Sequence, residues 1–437
     1  MARVNPFGGV RYNPKAISNI GDVLAPPYDV ISSSQQQELY DRHDRNIVRL
    51  ILGYQREGDS EDDNRYTRSA EFLKIWMADA TLSRDDKPAF YLYAQDYEVD
   101  GKKMRRVGFM CRRLIEPLGT SIFPHERTLS GPKTDRLNLT RACKMNFSPI
   151  FGLYSDPSKK LDKIWESIMN VDIPDIDVTD EDGVRHLMWT ITDGEIILTA
   201  QGFLENIPVV IADGHHRYET AINYRNERRA QENPSGRADY DYALMYLSNS
   251  CGEGFTVLPT HRIVKDVPAI DMAALLASLG EYFEVKEEAL NDKSIGALPA
   301  KLAAAGKNGP AFGMIAPGGK LYLLKLNVEK YAKNAPAGGV AAILHTLDVA
   351  VLQELVFEKI LGVSKEQVAD KKVVGYTINA AEAAQQVSGG GAKLAFILNP
   401  ADVNMVIKVA TAGGVMPQKS TYFYPKLISG LVMNPLW

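Results

Sequence analysis

Apolar positions along the chain follow two rhythms, and these divide it into helices and strands. In "NRYTRSAEFLKIWMADATL" they recur at intervals of three and four, which predicts a helix. "SSSQQQELYDRH" predicts a helix start with serines as caps. The β-branched run "NIVRLIL" predicts a strand. "AFYLYAQDYEVD" and "KKMRRVGFMCRRLIEPL" predict two more strands, and "VDGKK" between them has the chemistry of a hairpin turn. Further on, "HLMWTITD" reads as a strand and "GEIILTAQGFLEN" as a helix. "IPVVIA" reads as a buried strand, followed by a helix from His215 onward. "YDYALMYLSNS" and "FTVLPTHRIV" follow as strands.

Beyond Asp266 the same rhythms continue. "IDMAALLASLGEYFEVKE" opens as a helix, and "GPAFGMIAPGGKLYLLKLN" is a strand hairpin. "AAILHTLDVAVLQELVF" is the longest apolar run, but His345, Asp348 and Glu354 interrupt it, so it predicts an amphipathic core helix rather than a membrane span. The expected class is α+β in three segments: an N-terminal α/β segment over 1–115, a core over 116–265, and a C-terminal α/β domain over 266–437.

Composition narrows the picture. Of 437 residues, 45% are hydrophobic and 24% charged, the balance of a folded soluble protein. The net charge of -4 gives no overall basic field for nucleic acid or anionic membrane, although a local basic patch stays open. Cys111, Cys143 and Cys251 are far apart and odd in number, which points away from a disulfide framework or a zinc knuckle. With an N-terminus that lacks the apolar core of a signal peptide, the expected setting is the cytoplasm.

Candidate chemistry concentrates in "VVIADGHHRYETAINYRNERR". A strand, a glycine turn and a helix start fall within a few residues there. Such a helix N-terminus presents unpaired N–H groups and the positive end of the helix dipole, which favours an anion. Gly214 lets an anion approach the backbone, Arg217 offers a planar fork for phosphate oxygens, and His215 and His216 add donors. Adjacent histidines on a helix diverge, so the pair does not predict a metal site; Asp213 is the candidate contact for Mg²⁺, through water. The alternative is local packing, with Asp213 as a cap. Four polar residues in a row at a strand-to-helix switch favour the anion, because burying them without a ligand costs desolvation.

A second constellation is "FPHERTLSGPKTDR". Glu126 beside His125 is a candidate general base, and Lys133 and Arg136 are candidate site walls, as are Tyr28 and Asp29 in "APPYD" and Lys419 in "MPQKSTYFYPK". A solvated loop with ordinary ion pairs is the alternative reading. The Lys-Ser-Thr of the last stretch lacks the upstream GxxxxG of a phosphate loop.

Taken together, "RYNP", "APPYDVIS", "NIVRLILG", "PHERTLSGPKTDR", "SPIFGLYSDP", "ADGHHRYETA", "LPTHR" and "MPQKSTYFYPK" resemble the family known as domain of unknown function 1015, over nearly the whole chain. "ADGHHRY" is more distantly similar to the signature of the ParB/sulfiredoxin-like fold, above all to its free-serine kinases. That resemblance implies a ParB/sulfiredoxin-like core with large family-specific insertions. It implies that Gly214, His215, His216 and Arg217 hold the phosphates of ATP or ADP. It also implies that Glu126 deprotonates a serine hydroxyl, and that Asp213 sits near the metal or the hydroxyl. Some eighty residues separate Glu126 from Asp213, where the compact kinases have a short link. Chromosome-partitioning relatives carry Glu-Arg-Arg in the loop and bind CTP, whereas this chain has His-His-Arg.

The expected function is a nucleotide-dependent kinase acting on a small hydroxylated metabolite, with serine supplied by the resemblance alone. The rival is a non-enzymatic nucleotide-binding switch, or a DNA-partition accessory protein, using the same loop. Nucleic acid is the less expected partner, and no membrane partner is expected.

Overall fold

Asp100 and Gly101 both take positive φ, 51° and 73°, the backbone that a tight two-residue hairpin requires. They join β1 (Phe90–Val99) to β2 (Lys102–Leu114) in antiparallel register, as the sequence predicts. The computed structural model describes residues 3–126, 128, 130–267, 270–333, 338–369 and 372–437, a mixed α and β chain in two units. The first unit holds the chain up to Pro124, Thr128–Phe255 and Pro425–Trp437. The second holds Thr256–Tyr424 and the short stretch carrying His125 and Glu126.

In the first unit the hairpin is extended by β3 (Ile122–Pro124), β4 (Ile150–Tyr154), β5 (Ile176–Thr179), β6 (Arg185–Ile191), β7 (Val209–Asp213) and β8 (Tyr242–Asn249). The strand order is β3-β7-β4-β8-β2-β1-β6-β5, with the short strand Val4–Asn5 added on β2. β3 runs parallel to β7 and β4 parallel to β8, while the other pairs are antiparallel. One buried cluster, with Phe90, Phe109, Trp165, Trp189 and Ile211, is covered by α5 (Lys160–Val171), α6 (Gly194–Leu204) and α7 (His215–Glu232). A second cluster centres on Trp76. It draws on α1 (Ser33–Arg42), α2 (Val48–Ile51), α3 (Arg65–Ala78) and α4 (Ser130–Cys143). Capping chemistry sets two of these starts: the Ser32 hydroxyl accepts from Gln35 N–H, and Asn64 forms a reciprocal capping box with Thr67.

One expected strand is a helix. "NIVRLIL" winds into α2, with Ile47, Val48, Leu50 and Ile51 all buried. Asn46 enforces the turn from a fully buried position. Its amide donates to the carbonyls of Asp22 and Leu24 at 2.8 and 3.0 Å, and its Oδ1 accepts Val48 N–H at 2.9 Å. Burial on every side satisfies a one-turn helix as well as a strand, and this local bonding overrides β propensity.

In the second unit, six strands form an open sheet: β9 (His261–Val264), β10 (Phe283–Ala289), β11 (Ala311–Ala316), β12 (Lys320–Leu326), β13 (Val374–Thr377) and β14 (Leu394–Leu398). Their order is β10-β12-β11-β14-β9-β13, antiparallel throughout. β11 is buried along its whole length because both faces are covered. Phe312 and Met314 point into one cluster, Ala311 and Ile315 into the other. The run "AAILHTLDVAVLQELVF" is not one helix. Helix Gly339–Leu344 stops, Asp348–Val351 restarts, and Leu352–Ile360 continues as a π-helix. At the break the Thr346 hydroxyl donates to the Ile343 carbonyl at 2.7 Å, a local bond that competes with helix propagation. Among the described residues no helix is long and apolar enough to cross a membrane.

Replacing Asn46 by Ala strips three buried backbone groups of partners. It is expected to lower unfolding free energy by about 2–3 kcal/mol, read from the urea midpoint; an unchanged midpoint would show that something else holds α2.

Candidate functional site

β7 carries Asp213 at its end, and a bulge decides where that side chain points. Ile211 lies opposite Gly152 and Asp213 opposite Phe151, so Ala212 is the extra residue. Without it, strand alternation would send Asp213 to the same face as core Ile211; the bulge re-aims it. Gly214 then takes φ +91° as the N-cap residue of α7, and has no side chain of its own to cap the helix. The predicted strand, glycine turn and helix are therefore all present. Tyr218 anchors the helix: its hydroxyl donates to the Glu116 carbonyl at 2.9 Å and accepts Glu116 N–H at 3.0 Å.

The Asp213 carboxylate is held between two cations. Arg217 Nη2 reaches Oδ2 at 2.6 Å, and Lys426 Nζ reaches Oδ1 at 2.7 Å. The three side chains are 13–21% exposed, so the attraction is only partly screened. Arg217 also donates to the Pro149 carbonyl. Its guanidinium folds back over Gly214, where a Cβ would stand 2.9 Å from Nε. The glycine thus makes room for Arg217, an effect that the sequence reading attributed to the anion alone. Both Asp213 oxygens are taken by cations, and no cluster of three metal-ligating side chains occurs among the described residues. The Mg²⁺ contact expected of Asp213 runs through water, so it would form alongside these two ion pairs. His215 is buried and His216 half-buried in the first turn of α7.

The structure gathers three predicted residues at a cavity of about 50 Å³ lined by Tyr28, Arg136 and Arg217. The Arg136 guanidinium lies 3.8 Å from the centre of the Tyr28 ring, a close cation–π contact. Burial, helped by Asp29 and opposed by Arg136 and Arg217, pushes the Tyr28 phenol up to about 12, so it is a protonated donor. Arg136 is pinned by Asp135 and by the Ile51 carbonyl at 2.8 Å. Burial works against ionising Asp135, but Arg136, Tyr66 and Arg65 outweigh it and hold the carboxyl below its usual range. Lys133 does not stand free: its ammonium meets Glu219 at 2.8 Å, which also accepts the Thr128 hydroxyl at 2.7 Å. Asp29 is exposed.

In the second unit, His125, Glu126 and Lys419 come together. The Glu126 carboxylate accepts Lys419 N–H, and Lys419 adopts φ +55° to aim that donor. A side chain held in the left-handed region stores strain of about 1–3 kcal/mol. Met416 N–H donates to the His125 carbonyl at 2.7 Å, and Glu126 bridges Met416 in parallel register. His125, a further candidate site wall in the sequence, is fully buried, with its Nε2 2.9 Å from the Thr421 hydroxyl.

Arg262 was quoted in the sequence only within "LPTHR" and given no role. It is buried, donates to the carbonyls of Thr260 and Gln418, and lies over the Tyr376 ring at 4.8 Å. Burial lowers its pKa while Tyr376 and Glu126 oppose that fall, which places a buried cation near the carboxylate. Lys426, in the stretch "MPQKSTYFYPK" that offers possible site walls, is the second cation on Asp213. The signal for both was polar residues standing inside apolar, aromatic stretches.

A model of the family described as "Protein of unknown function (DUF1015)" matches residues 4–350. No curated protein matches the chain. Among solved structures, a mutant free serine kinase in complex with AMP is 12% identical, with 76% of this chain and 94% of that chain covered and a TM-score of 0.37. A conserved hypothetical protein from Pyrococcus furiosus is 15% identical over 76% and 97%, with a TM-score of 0.36. SbnI with C-terminal truncation from Staphylococcus aureus is 11% identical over 75% and 87%, also at 0.36. TM-scores this low carry no argument about function, which rests on this chain's own residues.

Gly214→Ala combines positive φ with a clash against Arg217 and is expected to cost about 1–3 kcal/mol, seen as a lower thermal midpoint; a neutral result would mean that Arg217 moves aside freely. Because the folded pKa of Asp135 lies below the unfolded value, its contribution is present above the ordinary carboxylate range and fades as pH falls through the depressed value. Asp135→Asn is expected to flatten the acid limb of the stability–pH curve below about pH 4; an unchanged limb would assign acid sensitivity to other carboxylates.

Proposed function

The chain belongs to the DUF1015 family, whose name carries no activity, and from its own residues we propose that it is a nucleotide-dependent kinase acting on a small hydroxylated metabolite, with a ParB/sulfiredoxin-like core. The observation that carries this reading is the turn at Gly214. It is left-handed, opens α7 with a glycine at the N-cap, and stands beside Arg217 and Lys426. A helix N-terminus flanked by two cations is suited to the terminal phosphates of ATP or ADP. The resemblance of "ADGHHRY" to the free-serine kinases supports the same assignment and supplies free serine as the candidate acceptor.

In this reading Asp213 orients Arg217 and Lys426. Amides of the first turn of α7 and the two cations stabilise charge on the transferring phosphoryl group. Glu126 is the base. Its carboxylate accepts the Lys419 backbone N–H, which holds it in place to take a proton. The acceptor hydroxyl loses its proton to Glu126 as its oxygen bonds to phosphorus; the bond to the nucleotide breaks, and the nucleotide leaves with that electron pair.

The test is incubation with ATP or ADP as the Mg²⁺ complex and with serine, followed by mass spectrometry for phosphoserine. Glu126→Gln is expected to retain nucleotide binding and lose transfer by about 100-fold or more. Arg217→Ala is expected to weaken nucleotide binding about tenfold or more. Nucleotide binding without transfer to serine or other small hydroxylated metabolites would replace the kinase with a nucleotide-sensing switch. Unchanged affinity in Arg217→Ala would remove the phosphate cradle.

A further inference from the structure

A cavity of about 190 Å³ lies wholly within the second unit. Its walls are Leu344, Ala350, Val368 and Met416, with Gln353, Glu354 and Lys365 among them. That volume equals about six waters at liquid density, enough for a small organic molecule.

Gln353 shows that the cavity is more than a packing gap. It sits on the π-helical stretch Leu352–Ile360, between Leu352 and Leu355 of the core, and is 9% exposed. Single π turns recur at functional sites. Its amide nitrogen donates to the Glu358 carboxylate at 2.9 Å. A carboxylate accepts but does not donate, so this bond fixes which way the amide is turned. The amide oxygen is left without a donor among the described residues and belongs to a residue lining the cavity. An amide oxygen that takes no donor from the protein can accept one from a ligand.

The geometry points to a binding site for a zwitterionic, amino-acid-like molecule with an apolar side chain. Gln353 Oε1 and the Glu354 carboxylate suit an ammonium group. Lys365, exposed and only loosely paired with Glu358 at 3.7 Å, suits a carboxylate. Leu344, Val368 and Met416 receive the apolar part. The cavity is also wired to Glu126. Met416 lines it, and the backbone of Met416 is bonded to His125 and bridged to Glu126, while Lys419 three residues on donates to the Glu126 carboxylate. Occupancy therefore acts on the segment 416–419 that positions Glu126, and this second step alone rests on the kinase reading.

Titration calorimetry of the full chain with leucine, leucinamide and isocaproate tests the site without any assay of transfer. Leucine is expected to bind, with leucinamide and isocaproate at least tenfold weaker, since each lacks one charge. Lys365→Met, at an exposed position, is expected to weaken leucine at least tenfold and leave leucinamide unchanged. Val368→Trp, which fills the cavity, is expected to abolish leucine binding while the thermal midpoint shows the chain still folded. Absence of leucine binding at millimolar concentration, or equal affinity in wild type and Lys365→Met, overturns the proposal. Leucine binding by a chain without kinase activity upholds this site and sinks only the reading of Glu126.

Discussion

The first unit depends on one partly buried electrostatic arrangement: a carboxylate with a cation on each oxygen. Asp213 reaches that position because the bulge at Ala212 breaks strand alternation. Arg217 reaches it because Gly214 lacks the Cβ that would stand in its path. Lys426 reaches it from the far end of the sequence, on the segment that returns to this unit after Tyr424. Removing either cation would leave a partly buried charge with one partner, which is why strand end, glycine turn and helix start form a single device.

The second unit positions its carboxylate by different means. Glu126 is met by main chain, through the strained Lys419 and the bridge to Met416, and by the buried charge of Arg262. Backbone donors cannot swing away as a lysine side chain can, so the carboxylate is held by the fold rather than by rotamers. His261 beside Arg262 stays neutral, pushed down to about 4 by burial and by Arg262, so the cationic charge there belongs to the arginine.

Legibility followed the range of the forces involved. The hairpin at Asp100-Gly101, the capped starts of α1 and α3, and the strand-to-helix switch at Gly214 rest on contacts within a few residues, and each could be read directly. "NIVRLIL" could not, because the bonds that wind it come from Asn46 to Asp22 and Leu24, more than twenty residues away. The long apolar run around His345 carried helical periodicity on both sides of a break that a single threonine hydroxyl and stacking of His345 on Tyr331 at 3.9 Å mark.

By itself, then, the sequence determined the helices and strands whose start and stop signals are local, and the cluster of anion-seeking groups around Gly214. Only the tertiary structure decided which charges those groups meet. It gave Asp213 to Arg217 and Lys426, Lys133 to Glu219, and Arg136 to Asp135 and the face of Tyr28. The physical reason is that periodicity reports which side of an element is buried, while Coulomb and hydrogen-bond partners are chosen by distance in space. Spacing along the chain carries no record of a lysine more than two hundred residues from its carboxylate.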